Sequence, residues 1–480
     1  MIGSGIFIVP AEIGRGVGSP ALLIGAWLVT AVMTIIGALS YGELAAMMPK
    51  AGGQYVYLRE ALGPMWGFLF GWTLFLVIQT GTIAAVAVAF GKFLGVFFPA
   101  ISSSHWLLRL GHVPALKIGP MVLGNMDVGL NTANLTGILV VLLLTVVNIF
   151  GVRLGALVQN IFTTTKIAAM LGLLVVGFWF GRNPAAIAAN FGHNFWQNAS
   201  WHALHPVQVG VGGPIAMVGL LTVLAVVQTG SLFSADAWNN VTYTAGEIRN
   251  PKRNLPLSLV MGTVIVISIY VAANFVYLFA LPLIGDPHGA TAFAHGIQYA
   301  AEDRVATAVL QQIFQSGAFL MAAAILISTF GCANGLILAG ARVYYAMSCD
   351  GLFFKSTSRL HPRYKTPVAA LVIQAVWTCF LCLTGSYSQL LDYIICTELI
   401  FYILTIGCLF VLRRKRPDAE RPYRAVGYPV LPALYIGMAA WICVVLLRYK
   451  PQYTWPGLCI VLLGVPVYAI WSRRRREAVA

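Results

Sequence analysis

The sequence predicts an all-α integral membrane protein, and three observations predict it. Of the 480 residues, 59% are hydrophobic and only 9% are charged, too little charge to cover a soluble surface. The apolar residues are gathered into segments of about 20 with almost no charge, long enough to cross a hydrocarbon core of roughly 30 Å. Those segments lack the alternation over about 10 residues that marks the strands of a closed barrel, so helices remain as the spanning element.

Apolar windows bounded by Gly, Pro and charge fall at 19–47, 65–99, 134–151, 156–180, 213–245, 255–284, 308–347, 366–384, 389–412, 428–447 and 454–472, eleven spans in all. Before them, Met1 to Gly16 is apolar but too short to cross alone, and Gly3-Ser4-Gly5 interrupts it at once. It reads as the second half of a twelfth span. After the first complete span, Pro49-Lys50-Ala51-Gly52-Gly53-Gln54 ends a helix and leads into an amphipathic stretch closing near Gly63-Pro64, a re-entrant segment. The longer loops, 100–133 and 181–212, carry scattered His, Asn and Trp. His193, His202 and His205 are spaced irregularly, which suits solvated or interfacial side chains better than a metal site.

A net charge of +15 invites a nucleic-acid reading, but its distribution points to a membrane. Of the 30 Lys and Arg, 21 fall in one set of alternate loops, 7 in the other, and Lys92 and Lys166 lie within apolar segments. The positive-inside rule places the first set in the cytoplasm, with the C-terminus beside it, in the cell (inner) membrane. Arg473 to Arg476 directly follow the last span and read as a topological anchor. All eight Cys lie at or after Cys332, mostly inside apolar segments, where they serve as small buried hydrophobes. Cys379 and Cys382 have a C-x-x-C spacing without a second ligand pair. No metalloprotease, nucleophile-elbow or Walker pattern with suitable context is present, so no enzyme, cofactor, metal or nucleic-acid partner is implied.

Unwound backbone inside a bilayer is tolerated only where protein or a water-filled cavity satisfies it, so breaks in long helices point to sites. One break is Gly3-Ser4-Gly5-Ile6-Phe7, and the other is Thr229 to Asn239 in the sixth span. They lie five spans apart, as an inverted repeat with a midplane site requires. Close helix packing through small residues is the plainer use of such Gly and Ser, but Ser, Thr and Asp accompany the Gly here. Free N–H groups after Gly5 suit a carboxylate, and exposed carbonyls from Phe233 through Ser234 to Ala235 suit an ammonium. An α-amino acid carries both.

These residues, with Pro49-x-Ala51-Gly52-Gly53-x-Tyr55, Leu232-Phe233-x-x-x-x-Trp238-Asn239, Glu247-x-x-Asn250-Pro251-x-x-Asn254-Leu255-Pro256, Arg413-Arg414-Lys415-Arg416-Pro417 and Arg421-Pro422-Tyr423, resemble the APC superfamily of amino acid, polyamine and organocation transporters. The resemblance is nearest to the L-type amino acid transporter branch and its bacterial relatives, and it covers nearly all the chain. It implies a LeuT-type fold, with a first repeat over 1–180, an inverted second repeat over 213–412 and two extra helices over 428–472. It further implies that Gly3, Ser4 and Gly5, with Ile6 beside them, bind the substrate carboxylate, that Phe233 gates the site from outside, and that Asp236 lies against the substrate. Members of the family have a half-helix before the G-S-G break. The resemblance therefore implies that the first half of helix 1 is missing here, through a misplaced start or a damaged product, and that residues 1–480 alone do not transport.

Three charges lie deep in apolar helices. Lys166 is 11 residues beyond Gly155, about 16 Å into the membrane, where a Lys costs roughly 2.5–3.5 kcal/mol and has to face the protein interior. The resemblance matches it to a Lys that stands in place of the sodium ion of sodium-coupled relatives. Asp236 is 11 residues before Glu247 and so at a similar depth, with helix capping at Ala237 as its plainer role. Glu398 is 15 residues before Arg413, and it reads equally as a paired carboxylate, a proton carrier or a substrate contact. The expected function is sodium-independent amino acid transport by alternating access, as exchanger, uniporter or proton symporter. The alternative is a sodium- or proton-coupled symporter of another small organic cation or polyamine. A sodium symporter requires hydroxyls and carbonyls where Lys166 stands, a channel requires a continuous polar stripe, and a membrane enzyme requires a catalytic constellation.

Overall fold

A computed structural model describes residues 1–114, 116–118, 121–123, 126–210, 213–383 and 387–477. The helices in chain order are α1 (Gly5–Val17), α2 (Pro20–Met47), α3 (Gln54–Leu62), α4 (Pro64–Thr73), α5 (Gln79–Leu94), α6 (Thr132–Ile149), α7 (Val152–Phe180), α8 (Pro184–Phe191), α9 (Leu220–Ser234), α10 (Pro251–Ala280), α11 (Ala292–His295), α12 (Val305–Ile313), α13 (Gly317–Cys349), α14 (Val368–Cys382), α15 (Tyr387–Lys415), α16 (Val430–Tyr449) and α17 (Pro451–Glu477). Among the described residues, ten helical stretches are long and apolar enough to cross a membrane, and α14 is a shorter apolar helix. The eleven expected spans are these eleven stretches, with changed boundaries.

Three boundary changes have physical reasons. The expected span 213–245 begins as a strand, Ile215–Val218, paired antiparallel with His205–Gln208, because a short apolar run reads alike as strand or helix. The expected span 308–347 is divided: α12 stops at Ile313, Phe314 is extended, and α13 starts at Gly317. The expected span 65–99 is continuous from Pro64 to Leu94 but passes through a π-helical segment, Leu74–Ile78. Outside the spans, loop 100–133 forms two hairpins, Trp106–Val113 with Met126–Asn131 and Leu116–Ile118 with Met121–Leu123. Asn183 caps α8 through its side chain at 2.9 Å from Ala185 N, with Pro184 at the first helical position.

The α9 break is narrower than the expected Thr229 to Asn239, because Thr229 to Ser234 stay helical and only Ala235 to Ala237 interrupt the chain. Helix α1 begins at Gly5. Helix α9 ends at Ser234, and after Ala237, whose φ of 62° is left-handed, the chain resumes as a 3₁₀-helix over Trp238–Glu247. The halves meet closely: a Cβ on Gly5 would collide with the Ser234 side chain and stand 2.8 Å from its Cα, so α1 and α9 approach only because Gly is there. Helix α2 lies against α10, with Trp27 and Tyr270 edge to face at 5.6 Å. Buried hydroxyls tie α2 to α9, Thr30 Oγ1 donating at 2.7 Å to Gln228 Oε1.

The family motifs hold the basic end of the bundle together. Gly52 and Gly53 have φ of 102° and 45°, which Gly alone adopts without strain. Gly52 N–H donates to Tyr243 O at 3.0 Å, and Asn239 Nδ2 donates to Gln54 Oε1 at 3.0 Å, so α3 docks on the broken α9 segment. Arg342 Nε reaches Glu247 Oε1 at 2.7 Å. Glu43, fully buried, receives Arg413 Nε at 3.0 Å and Nη2 at 2.7 Å and the Ala425 N–H at 2.7 Å. A buried carboxylate with two guanidinium bonds and a backbone donor is a satisfied one.

Candidate substrate site

Residues of both segments meet at the first of two small internal cavities, and the second shares Asp236 with it. The first is lined by Gly3, Ser4, Gly5, Phe233, Ser234 and Asp236, together with Thr82, Cys332 and Leu336. The second lies beyond Asp236 and is lined by Glu398, Tyr402, Trp238, Thr34, Met33 and Tyr435 among others. Asp236 belongs to both. Each has about 20 Å³ of free volume, room for one water-sized group, whereas ligand pockets commonly offer roughly 300 Å³ or more. A substrate-sized molecule would fit only if the surrounding helices parted.

The first cavity has the polarity of a zwitterion site. A helix starting at Gly5 leaves its first N–H groups without intrahelical acceptors, next to the positive end of its dipole. On the facing break, Phe233 O accepts from Asp236 N–H at 3.1 Å and Ser234 O lies 3.2 Å from Tyr270 Oη. The Ser234 hydroxyl donates back to Gly230 O at 2.7 Å. Ile6 and Ala235, expected at the site, are fully buried and are not among the residues lining either cavity; Ile6 O accepts from Tyr277 Oη at 3.3 Å.

Lys166 is buried on the wall made by α7 and α13. Its Nζ donates to Ile2 O at 3.3 Å, and Ser328 Oγ of α13 lies 3.4 Å from both Ile2 O and Gly3 O. An ammonium and a hydroxyl thus converge on the carbonyls that precede the α1 break. Tyr270 Oη of α10 lies 3.0 Å from Met1 O and 3.2 Å from Ser234 O, and its single hydrogen serves one of the two at a time.

Asp236 does not cap a helix. Ala237 occupies the cap position of the 3₁₀ segment, and no side chain caps that segment; the left-handed turn aims the Asp236 carboxyl at α15 instead. Its Oδ1 is 2.7 Å from Tyr402 Oη, and the same hydroxyl is 2.8 Å from Glu398 Oε1. Tyr402 stands one turn beyond Glu398, so an i, i+4 pair on one helix face presents a phenol between two carboxyls. Tyr41 and Trp238 close the group, with Tyr41 edge-on to Trp238 at 4.8 Å and to Tyr402 at 5.9 Å. The sequence reasoning missed Tyr402, Tyr41, Thr82 and Ser328. The Glu398-x-x-x-Tyr402 spacing was the one available signal; the others are ordinary residues of apolar helices until the fold brings them in. Among the described residues, no group of three His, Cys, Asp or Glu could hold a metal ion.

Apolar spans whose broken helices enclose a polar cavity define a multi-pass membrane transporter. The amino acid permease profile matches residues 1–465, and the chain belongs to that family, within the APC superfamily. The chain is 27% identical to the serine/threonine exchanger SteT of Bacillus subtilis (strain 168) over 480 residues, which cover all of this chain and 94% of that protein. Its identity to the large neutral amino acids transporter small subunit 2 of Homo sapiens is 29%, over 98% of this chain and 77% of the relative. It is 27% identical to the human b(0,+)-type amino acid transporter 1, over 96% and 82%.

Proposed function

We propose that the chain is a sodium-independent amino acid transporter of the cell membrane, working by alternating access. The repeats are 1–180 and 213–412, followed by two further helices, and the basic end of the bundle with the C-terminus faces the cytoplasm. The observation that carries the reading is the Lys166 ammonium on the Ile2 carbonyl, next to the start of α1 at Gly5. A fixed positive charge there does what a bound cation would do for carbonyls at a helix break, so no ion need be recruited. The helix start takes the substrate carboxylate, through Gly3, Ser4 and Gly5, and the carbonyls of the α9 break take the ammonium. Phe233, over the first cavity, gates it. Asp236 and Glu398 lie where a substrate side chain would extend and favour a cationic one.

The relatives named as exchangers and transporters of serine, threonine and large neutral amino acids support the substrate class. The test is uptake of a labelled amino-acid panel by proteoliposomes, with and without internal amino acid and a proton gradient. Stimulation by internal amino acid identifies exchange, stimulation by the gradient identifies proton symport, and transport without either identifies uniport. Absence of uptake for every amino acid, with a polyamine transported instead, would overturn the reading.

A further inference from the structure

The side cavity contains a contradiction in hydrogen count that only an extra proton resolves. Tyr402 Oη is 2.7 Å from Asp236 Oδ1 and 2.8 Å from Glu398 Oε1, both ideal O–H···O separations. A phenol has one hydrogen and so can donate along one of the two contacts. If both carboxyls were ionised, the other contact would set a carboxylate oxygen against a phenol lone pair with no hydrogen between them. One carboxyl must therefore carry a proton and donate it to Tyr402 Oη. The second oxygen of Glu398 is buried with no hydrogen-bond partner, which places the burden of an added negative charge there at its highest.

Among the described residues, no Lys, Arg or His lines the side cavity to supply another counter-charge. The titratable groups that face the pair are phenols: Tyr41 from α2, Tyr243 from the 3₁₀ segment and Tyr435 from α16. Met1 lines the first cavity and not the second. Lys166 is directed to Ile2 O.

We propose that Asp236, Tyr402 and Glu398 together hold one exchangeable proton, and that a cationic substrate side chain displaces it. This rests on the reading of the first cavity as an amino acid site and extends it to coupling. With a neutral amino acid the proton stays on the carboxyl pair. With a lysine-like substrate the side-chain ammonium becomes the positive partner of the pair, and the carboxyl proton leaves to the solution to which the site is then open. The loaded site carries the same charge in both cases, so one transporter moves a neutral substrate with a proton and a cationic one without it.

The experiment compares L-lysine with L-norleucine, which matches its chain length without the ammonium. Purified protein in weakly buffered detergent is titrated with each while a pH indicator reads proton release and calorimetry reads binding. Lysine is expected to release about one proton per molecule bound and norleucine none, and lysine affinity should rise up to about tenfold per pH unit while the pair is protonated. Glu398→Gln should bind lysine without proton release. Asp236→Asn, a second variant, should bind lysine no more tightly than norleucine and release no proton with either. Lysine binding without release in the wild type, release that persists in Glu398→Gln, or norleucine binding with no lysine binding would each overturn the proposal. Binding of neither amino acid would instead remove the substrate-site reading, and the proposal with it.

Discussion

Two walls of the same site treat charge in opposite ways. On the α7 and α13 wall, Lys166 donates to a backbone partner, Ile2 O, with a hydroxyl, Ser328, beside it. On the α2, α15 and α16 wall, Asp236 and Glu398 share one phenolic hydroxyl among aromatic rings, with no Lys, Arg or His lining the cavity. The first arrangement is complete without a ligand, and the second is not. A transporter needs both: a part of the broken helix that is held whatever is bound, and a part whose charge balance changes with the cargo. Under the proposed function, the difference makes an ion redundant on one wall while a proton or a cationic side chain matters on the other.

Breaking the complete wall should have the largest effect. Lys166→Ala removes a charge-assisted hydrogen bond worth about 1.5–3 kcal/mol, so uptake into proteoliposomes should fall about 10- to 100-fold for every amino acid, with normal protein in the membrane fraction. Loss confined to one substrate class would contradict a purely structural cation. On the other wall, Asp236→Asn should lower arginine and lysine uptake roughly tenfold while sparing neutral substrates and flattening their pH dependence, read from initial rates across pH. Equal loss of all substrates would sink the specificity reading; a capping role is no longer available to explain it, since Asp236 caps nothing. Tyr402→Phe should have the smallest effect. It deletes one hydroxyl worth about 1 kcal/mol, so lysine uptake should drop a few-fold, and a change in norleucine uptake as large as that in lysine uptake would count against the shared-proton account.

The same contrast explains how much could be read in advance. The spans, the two breaks and the depth of Lys166 follow from patterns along one dimension: runs of apolar residues, Gly clusters and a rise of about 1.5 Å per residue. Lys166 was legible because a lone Lys in an apolar helix has few physical explanations. Asp236 was legible as a deep carboxylate, but the direction of its side chain was not, because that depends on the left-handed turn at Ala237, and Ala gives no sign of positive φ. Tyr402 was hidden for a different reason. A Tyr in an apolar helix is common, and only the packing of α15 against the α9 break turns it into the bridge between two acids. The expected span 213–245 takes in the strand Ile215–Val218 because four apolar residues fit a strand as well as a helix turn.

The central claim is that Lys166 takes the place of a metal ion at the α1 break. Its most direct measurement is the initial rate of uptake of a transported amino acid into proteoliposomes at fixed osmolarity, pH and membrane potential, with external sodium replaced by choline. Equal rates in the two media, with Lys166→Ala slow in both, are the predicted result. A several-fold rise in wild-type uptake with sodium would contradict it.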